Sequence, residues 1–241
     1  MRTVRICQLG APLNLNDEFT LDEDGYGHLI RVLRFTANTP FVVFDGLGNE
    51  YEAVLTNVGK KASFKCLNKL SVNVESPLFI ELGQVISRGD KMEFTIQKAV
   101  ELGISKITPL YSSRCGVKLD DKRKDKKVEQ WQKIAISACE QCGRNVVPKV
   151  GEITNIDDWY SKDPEALSLT LDPKASIKLS EIKLKSKLRL LIGPEGGLDD
   201  SEIQKASENN FVGVTLGPRI LRTETAALAA LSILGCTFGD L

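Results

Sequence analysis

The strongest constraint on the fold is a regular alternation of strand-like and helix-like segments from about Val74 onward. "LFIELGQVI" and "ALSLTL" are apolar runs of strand length, whereas "DKMEFTIQKAVELG" and "TETAALAALSILG" have apolar residues at helical spacing. Strands that alternate with helices are joined by crossover connections, so they form a mostly parallel sheet. The sequence therefore predicts an α/β fold for this part of the chain.

The ends of the predicted helices carry further information. Asp90 with Glu93, and Asp199 with Glu202, have the spacing of a capping box at a helix start. Another helix is predicted over residues 126–142. The last helix, Thr223 to Gly235, is apolar nearly all round, which is typical of a helix buried on every side. We expect this helix to be covered by its own domain and by a partner subunit.

Residues up to about 70 have a different, strand-rich pattern. "FVVFDGLGNEYEAVL" contains two strand-like runs around a glycine-rich turn and predicts a hairpin. In "HLIRVLR" the basic residues His28, Arg31 and Arg34 are spaced by three, so a helix would present them on one face. Leu29, Val32 and Leu33 would then form the core side, which predicts a small β-rich domain with a basic stripe.

Composition excludes several classes of protein. The chain has 32 basic and 32 acidic residues and no net charge, which argues against a protein that coats nucleic acid non-specifically. A local basic surface remains open, for instance over residues 118–127. No stretch approaches the roughly 18 apolar residues needed to span a bilayer, and the N-terminus does not look like a signal peptide. We therefore expect a cytoplasmic protein with no membrane association.

Cysteine and histidine usage gives little support to a metal site. Of six cysteines only Cys139 and Cys142 form a CxxC pair, and no second pair completes a zinc site. His28 is the one histidine. We expect packed, unpaired cysteines, as is usual in cytosolic chains, and no bound metal. Metal or redox use of the CxxC pair is the less favoured alternative.

Three predicted strands end in unusual loops: "TLDP" (170–173), "IGPEGG" (192–197) and "LGPRILRTET" (216–225). Ligands of open α/β sheets bind beyond the carboxyl ends of the strands. The glycines allow close approach to the main chain and the prolines stiffen it. Such loops offer backbone N–H and C=O groups that suit the edge of an adenine. The chain contains no P-loop, and no GxGxxG follows a first strand, so the common nucleotide motifs are not present.

At these loops the sequence resembles a known family. The segments "LLIGPEGGL" and "LGPRILRTETAALAALSIL" closely resemble the C-terminal signature of the SPOUT methyltransferases, and within them the RsmE family. The resemblance extends over most of the chain through four further segments: "HLIRVLR", "FDGLGNEY", "RGDKMEFTIQKAVELGISKITPLYSSR" and "WQKIAISACEQCGRNVVP". That family methylates N3 of a uridine in 16S rRNA of the small ribosomal subunit.

The resemblance implies a complete architecture. Residues 1–71 would form a PUA-like β-barrel that binds RNA, and residues 72–241 a SPOUT methyltransferase domain with a trefoil knot, an exception to the rule against threaded chains. The enzyme would be a homodimer, and S-adenosyl-L-methionine would be the methyl donor. The implied cofactor-binding residues are Leu169, Leu171, Gly193, Gly196, Leu216, Gly217, Ile220, Leu221, Arg222 and Thr223.

Methylation at N3 makes specific chemical demands. The uridine N3–H must be lost, and an arginine beside O2 and O4 would stabilise the resulting anion. Arg114 and Arg144 are the first choices, and Glu140 is the candidate proton acceptor. Glu195, in the glycine loop, is a further catalytic candidate, although a carboxylate facing the sulfonium would favour the ground state. We therefore expect Glu195 to hold backbone N–H groups of the loop or to meet the substrate.

The predicted RNA contacts are basic and lie in the first domain, at Arg2, Arg5, His28, Arg31 and Arg34. Such contacts position an RNA, while the pocket selects the base. Two alternatives stay open. A SPOUT enzyme could instead methylate a ribose 2′-OH of another RNA. A non-catalytic RNA-binding or ribosome-assembly factor could keep the knotted domain as a scaffold.

Overall fold

A computed structural model describes residues 3–10, 12–183 and 187–241 of the chain. It contains two compact units. The first comprises residues up to Glu75 together with Cys139–Val147, and the second comprises Ser76–Ala138 and Pro148–Leu241. The predicted division between residues 71 and 72 stays a prediction. Arg2, one of the predicted RNA contacts, lies outside the described residues.

The first unit is built on a five-stranded sheet in the order β1-β3-β4-β5-β2. Strand β1 runs parallel to β3, and the other pairs are antiparallel. Its elements are β1 (Arg5–Cys7), β2 (Glu18–Thr20), α1 (Glu23–Tyr26), a π-helical turn (Gly27–Val32), β3 (Pro40–Phe44), β4 (Glu50–Val58) and β5 (Ala62–Leu70). The predicted hairpin is the β3–β4 pair. Phe41 and Phe64 pack edge to face in the core, with ring centroids 5.6 Å apart.

The second unit is an eight-stranded sheet in the order β11-β13-β10-β12-β6-β7-β8, with β9 also paired to β7. Every pair in it is parallel, which confirms the predicted α/β class. The strands are β6 (Phe79–Val85), β7 (Lys106–Tyr111), β8 (Lys149–Val150), β9 (Thr154–Asn155), β10 (Leu167–Leu171), β11 (Ile177–Lys178), β12 (Lys187–Ile192) and β13 (Phe211–Thr215). The helices are α2 (Lys91–Glu101), α3 (Asp121–Cys142), α4 (Ile156–Tyr160), α5 (Asp200–Glu208) and α6 (Thr223–Phe238). A 3₁₀ turn spans Leu179–Glu181. The last turn of α3 belongs to the first unit.

The two predicted capping boxes have different outcomes. At α5 the box forms, because Asp199 accepts the Glu202 N–H at 2.8 Å and Glu202 accepts the Asp199 N–H at 2.9 Å. At α2 the prediction was wrong, since Asp90 makes no side-chain cap bond. Glu93 instead accepts hydrogen bonds from Lys127 and Gln130 of α3. The sequence pattern assigned the Glu93 carboxylate to the start of α2, but in the structure this carboxylate bonds side chains of α3.

The segment predicted as an amphipathic helix with a basic stripe is a π-helical turn, in which the Leu33 N–H bonds back to His28 O. Leu29 is fully buried as predicted, but Val32 is 68% exposed and Leu33 is 37% exposed. Their assignment to the core was wrong because the wider turn changes the angular spacing of the side chains. Arg34 has a φ of +56° and lies beyond the helical turn.

Helix α6 packs against α2 and β12. One side of it is fully buried through Ala227, Ala230, Leu231 and Leu234. The opposite side, including Ala229 and Ile233, is only half buried within one chain. Among the described residues, no helix combines the length and apolar character needed to cross a membrane.

Candidate active site

Three neighbouring strands of the second unit, β13, β10 and β12, end beside one cavity. The loops that follow them, at residues 171–174, 192–198 and 214–221, supply most of its wall. The cavity volume is about 500 Å³, within the usual range for a small-molecule site. These are the three loops that the sequence singled out.

Glycine is required at specific points of the 192–198 loop. The Gly197 N–H closes a turn on Pro194 O at 2.9 Å, and Gly197 has a φ of +69°. A side chain at Gly193 would place its Cβ 3.1 Å from the backbone nitrogen of Leu198. The loop therefore presents main chain to the cavity with little intervening side chain.

Side chains from other segments hold this loop in place. The Thr223 hydroxyl, in the first turn of α6, donates to Gly193 O at 2.7 Å. The exposed Arg114 donates from Nη1 to Gly196 O at 3.1 Å. Arg114, which follows β7, is thus placed at the rim of the cavity by its contact with the glycine loop.

Glu195 lies in the same loop and accepts the Arg88 backbone N–H at 3.0 Å. The Lys91 ammonium lies 3.5 Å from it and 4.0 Å from Glu224. Burial by itself would raise the pKa of Glu195, but the Arg88 N–H and Lys91 outweigh it, so its pKa lies below the ordinary value. An ionised, hydrogen-bonded carboxylate is a weak proton acceptor. Glu195 thus holds the backbone N–H of Arg88, outside the loop, as well as its own backbone N–H within the loop.

Most of the predicted cofactor residues surround the cavity. Eight of the ten line it: Leu171, Gly193, Gly196, Leu216, Gly217, Ile220, Leu221 and Thr223. Leu169 is fully buried within β10, and Arg222 is the exposed N-cap residue of α6. The assignment of all ten residues to cofactor binding stays a prediction.

The other arginine candidate has different surroundings. Arg144 belongs to the first unit, is 5% exposed, and donates from Nε and Nη2 to Glu75 Oε2 at 2.8 and 2.7 Å. The N–H groups of Asn145 and Val146 bond the other oxygen of Glu75, each at 3.0 Å. These contacts stabilise the 139–147 segment, so Arg114 is the better candidate for contact with a substrate base.

We expect Arg144→Ala to lower the free energy of unfolding by about 3 kcal/mol, because it breaks a largely buried ion pair and leaves Glu75 without its cation. Urea unfolding would measure the loss. Arg123→Ala is the matched control, since Arg123 and Asp120 form an exposed pair, and we expect less than about 1 kcal/mol for it. Equal losses in the two variants would contradict a structural role for Arg144.

The proposed proton acceptor, Glu140, also lies in the first unit. Its Oε1 accepts the Cys7 backbone N–H at 3.0 Å. Burial raises the pKa of Glu140, with the Cys7 N–H and His28 acting in the opposite direction. Nearby, burial raises the pKa of the Cys139 thiol to about 12, so that thiol stays protonated at neutral pH.

The predicted RNA contacts of the first unit separate into two groups. His28, Arg31 and Arg34 are exposed, and the Arg31 guanidinium lies 5.4 Å from the centre of the Tyr26 ring. Arg5 is instead held in a polar network: it bonds Glu50, and it donates to Asn145 Oδ1 at 2.8 Å. The exposed group is free to meet phosphate, whereas the Arg5 guanidinium supports the fold.

Several residues at the site were not anticipated from the sequence. Lys91 contacts Glu195 from the first turn of α2, and Gln84 contacts Thr223 from the end of β6. Both contacts join positions more than a hundred residues apart in the chain. No local pattern marks either residue; only the parallel pairing of β6 with β12 could have placed Gln84 near the glycine loop.

Comparison with known proteins agrees with this geometry. Residues 74–235 match the RNA methyltransferase domain family, and residues 21–64 match the RNA methyltransferase PUA domain family. The ribosomal RNA small subunit methyltransferase E of Buchnera aphidicola subsp. Schizaphis graminum is 38% identical over 95% of this chain and 94% of its own length.

Two solved structures are similar over the full length of both chains. A methyltransferase from Legionella pneumophila, in complex with bound S-adenosylmethionine, has a TM-score of 0.96 and 40% identity, covering 100% of each chain. The ribosomal RNA small subunit methyltransferase E of Neisseria gonorrhoeae, bound to S-adenosylmethionine, has a TM-score of 0.93 and 39% identity, again covering 100% of each chain. The chain therefore belongs to the ribosomal RNA small subunit methyltransferase E family, RsmE, of the SPOUT methyltransferases.

Proposed function

We propose that this protein uses S-adenosylmethionine to methylate N3 of one uridine in 16S rRNA and that it acts on the assembled small ribosomal subunit. The observation that carries the proposal is the cavity at the ends of β13, β10 and β12, with the exposed Arg114 hydrogen-bonded to Gly196 of its wall. Family membership fixes the class of reaction, RNA methylation with S-adenosylmethionine as methyl donor. Three finer parts of the proposal go beyond family membership: N3 as the methylated atom, one uridine as the target, and the assembled subunit as the substrate.

The cavity residues fit S-adenosylmethionine. Its walls combine apolar side chains such as Ile192 and Leu221 with the main chain of the glycine loops, where a Cβ at Gly193 would crowd Leu198. The eight lining residues predicted from the sequence would hold the adenosine through backbone groups and apolar contacts. When bound, the cofactor supplies an electrophilic methyl group on a sulfonium.

The catalytic work proposed for the chain itself is electrostatic. Arg114, at the rim of the cavity, would donate hydrogen bonds to O2 or O4 of the uracil and stabilise the anion left by loss of the N3 proton. Correct alignment of N3 with the methyl group supplies much of the remaining rate. Glu195 is ionised but held by Arg88 and Lys91, so we assign it a role in holding the loop. The proton of uridine N3 would then pass to solvent.

The first unit would position the RNA. N3 lies on the Watson–Crick edge, so the target uridine must be unpaired or turned out of its helix before it reaches the cavity. Exposed His28, Arg31 and Arg34 would bind phosphates of the surrounding rRNA. A neutral chain with one local basic surface suits a large structured target better than general RNA binding.

Two structural properties belong to the same proposal. The half-buried side of α6, with Ala229 and Ile233, supports a homodimer in which a second copy covers that side. The family resemblance also supports two further expectations. These are a trefoil knot in the second unit and a cytoplasmic location, where small subunits are assembled.

The proposed function is tested by incubating purified protein with methyl-labelled S-adenosylmethionine and isolated small subunits, followed by nucleoside analysis of the rRNA. We expect the label in 3-methyluridine. A 2′-O-methylated nucleoside would move the reaction to ribose. Binding of subunits without any transfer of label would favour a non-catalytic assembly factor.

The RNA surface gives a separate prediction. We expect Arg31→Glu with Arg34→Glu to weaken binding to small subunits at least about tenfold at low salt, and to reduce the salt dependence by about two phosphate contacts. Cofactor binding should not change, because both residues lie in the first unit. Filter binding across a salt series would measure the effect.

The matched control is Lys60→Glu with Lys61→Glu, which makes the same charge change at exposed positions between β4 and β5 of the first unit. We expect a much smaller loss for this control. Equal losses would show that only the net charge of the unit matters and would remove the specific role of Arg31 and Arg34.

A further inference from the structure

A fully buried glutamine lies at the carboxyl end of β6, next to two segments that line the cavity, the 192–198 loop and the start of α6. The Gln84 side chain has no exposed surface. Its Nε2 donates to Val85 O at 3.0 Å and to Thr223 Oγ1 at 3.0 Å. Thr223 Oγ1 in turn donates to Gly193 O at 2.7 Å. Gln84, Thr223 and Gly193 thus form a chain of hydrogen bonds from β6, through the start of α6, to the 192–198 loop.

The direction of every bond in this chain is determined. Carbonyl oxygens only accept, so the single Thr223 hydroxyl proton must point at Gly193 O. The Thr223 oxygen can then only accept from its other neighbour, which requires the NH₂ side of the Gln84 amide. Val85 O imposes the same orientation on that amide. A donor at position 84 is therefore what keeps the Thr223 proton directed at the glycine loop.

This arrangement has a cost that a purely structural residue would avoid. Within the described part of the chain, Gln84 Oε1 is buried and has no hydrogen-bond partner. Leaving a buried acceptor unpaired destabilises a fold, and an apolar side chain of similar shape would not have this defect. The donor function of Gln84 is the feature that distinguishes it from such a side chain.

We propose that Gln84 is a positioning residue for methyl transfer, which acts by orienting the Thr223 hydroxyl and so fixing the Gly193 loop against the start of α6. The inference rests on the proposed function, because it assigns cofactor binding to these loops. Gln84 does not line the cavity. It acts on the cofactor through Thr223 and Gly193, both of which do line it.

The most specific test is Gln84→Glu, with cofactor affinity measured by calorimetry between about pH 5 and pH 8.5. An ionised carboxylate only accepts hydrogen bonds, so it would draw the Thr223 proton away from Gly193 O. We expect S-adenosylmethionine affinity at the high end of this range to fall at least about tenfold below that of the unsubstituted protein. At low pH the protonated carboxyl has one proton to donate, to Thr223 Oγ1 or to Val85 O, so affinity should rise as the pH falls and recover in part.

The sign of this pH effect follows from ionisation, because the carboxyl group can donate below its pKa and only accepts above it. Burial raises that pKa above the ordinary value of a carboxyl group. The charged groups of the adjoining segments, Lys91, Glu195, Arg222 and Glu224, are present in the variant and in the unsubstituted protein, so the two proteins differ only in the group at position 84. Gln132→Glu is the matched control. Gln132 also bridges backbone groups, donating to Pro148 O and accepting from Val150 N. We expect the Gln132→Glu variant to bind S-adenosylmethionine as tightly as the unsubstituted protein at every pH.

A second variant guards against a simple failure to fold. Gln84→Met has a similar shape, introduces no charge and removes the unpaired acceptor. We expect several-fold weaker cofactor binding at every pH, together with a melting temperature of the free protein equal to or above that of the unsubstituted protein. Combined with Thr223→Val, the loss should be smaller than the sum of the two single losses, because both variants break the same chain.

The outcomes are distinguishable. If the unsubstituted protein does not bind S-adenosylmethionine, the proposed function fails. If the unsubstituted protein binds S-adenosylmethionine and both Gln84 variants bind it as tightly as that protein, the positioning role is overturned. The same conclusion follows if both variants melt at a lower temperature and lose affinity equally at all pH values, since that is the signature of a residue needed only for the fold.

Discussion

Gly196→Trp is expected to reduce S-adenosylmethionine affinity more than about 100-fold and to abolish methyl transfer. Gly196 lines the cavity, and its backbone is in an ordinary conformation, so the substitution adds bulk without backbone strain. A Cβ at this position would lie 3.5 Å from the Arg114 Cβ, a normal contact. The effect should therefore come from the indole ring occupying space that the adenosine needs. Calorimetry would measure the affinity.

Gly59→Trp is the matched control for this substitution. Gly59 is an exposed glycine between β4 and β5 of the first unit, also without a positive φ. We expect unchanged cofactor affinity, and a melting temperature in both variants within a few degrees of the unsubstituted protein. Retained cofactor binding in Gly196→Trp would mean that the adenosine site lies elsewhere.

Arg114→Ala is expected to lower kcat for methyl transfer by about 10²- to 10³-fold, the usual cost of removing one donor that stabilises a developing anion. Cofactor affinity should change by less than about fivefold, because Arg114 meets the loop through a hydrogen bond to the backbone carbonyl of Gly196. Arg114→Lys should recover part of kcat, since it restores the charge but not the planar donor pair. Steady-state kinetics on small subunits would separate kcat from KM.

The control for Arg114 is Arg123→Ala, which removes an exposed arginine of the same unit that pairs with Asp120. We expect any effect of this control to be confined to KM. An unchanged kcat in Arg114→Ala would place the anion-stabilising donor on another residue and would reopen the choice of Arg144.

The sheet and the loops of the site were predictable because their signals are local. Apolar runs of strand length and helical spacing predicted the α/β order, and the glycine and proline residues marked the three loops that line the cavity. The Asp199–Glu202 box formed because both partners lie within one helical turn. Each of these features depends on residues close together in sequence.

The partners of the charged side chains were not predictable in this way. The sequence assigned Arg5 to RNA binding and Arg144 to catalysis because both are basic. In the structure the Arg5 guanidinium donates to Asn145 and the Arg144 guanidinium pairs with Glu75, and both partners are distant in sequence. The same reason applies to Glu93, which accepts a hydrogen bond from Gln130 of α3 instead of capping its own helix. It also applies to Gln84, whose proposed role depends on Thr223, 139 positions away. The π-helical turn at residues 27–32 was missed because a spacing of three reads as an ordinary helix.

The central claim is methylation of a uridine at N3 in small-subunit rRNA. Its most direct test is mass spectrometry of small-subunit rRNA nucleosides from cells that lack this protein, compared with cells that have it. We predict loss of 3-methyluridine, restored by the intact gene and not by the Gly196→Trp variant. An unchanged level of 3-methyluridine in cells without the protein would contradict the claim and move the reaction to another atom or another RNA.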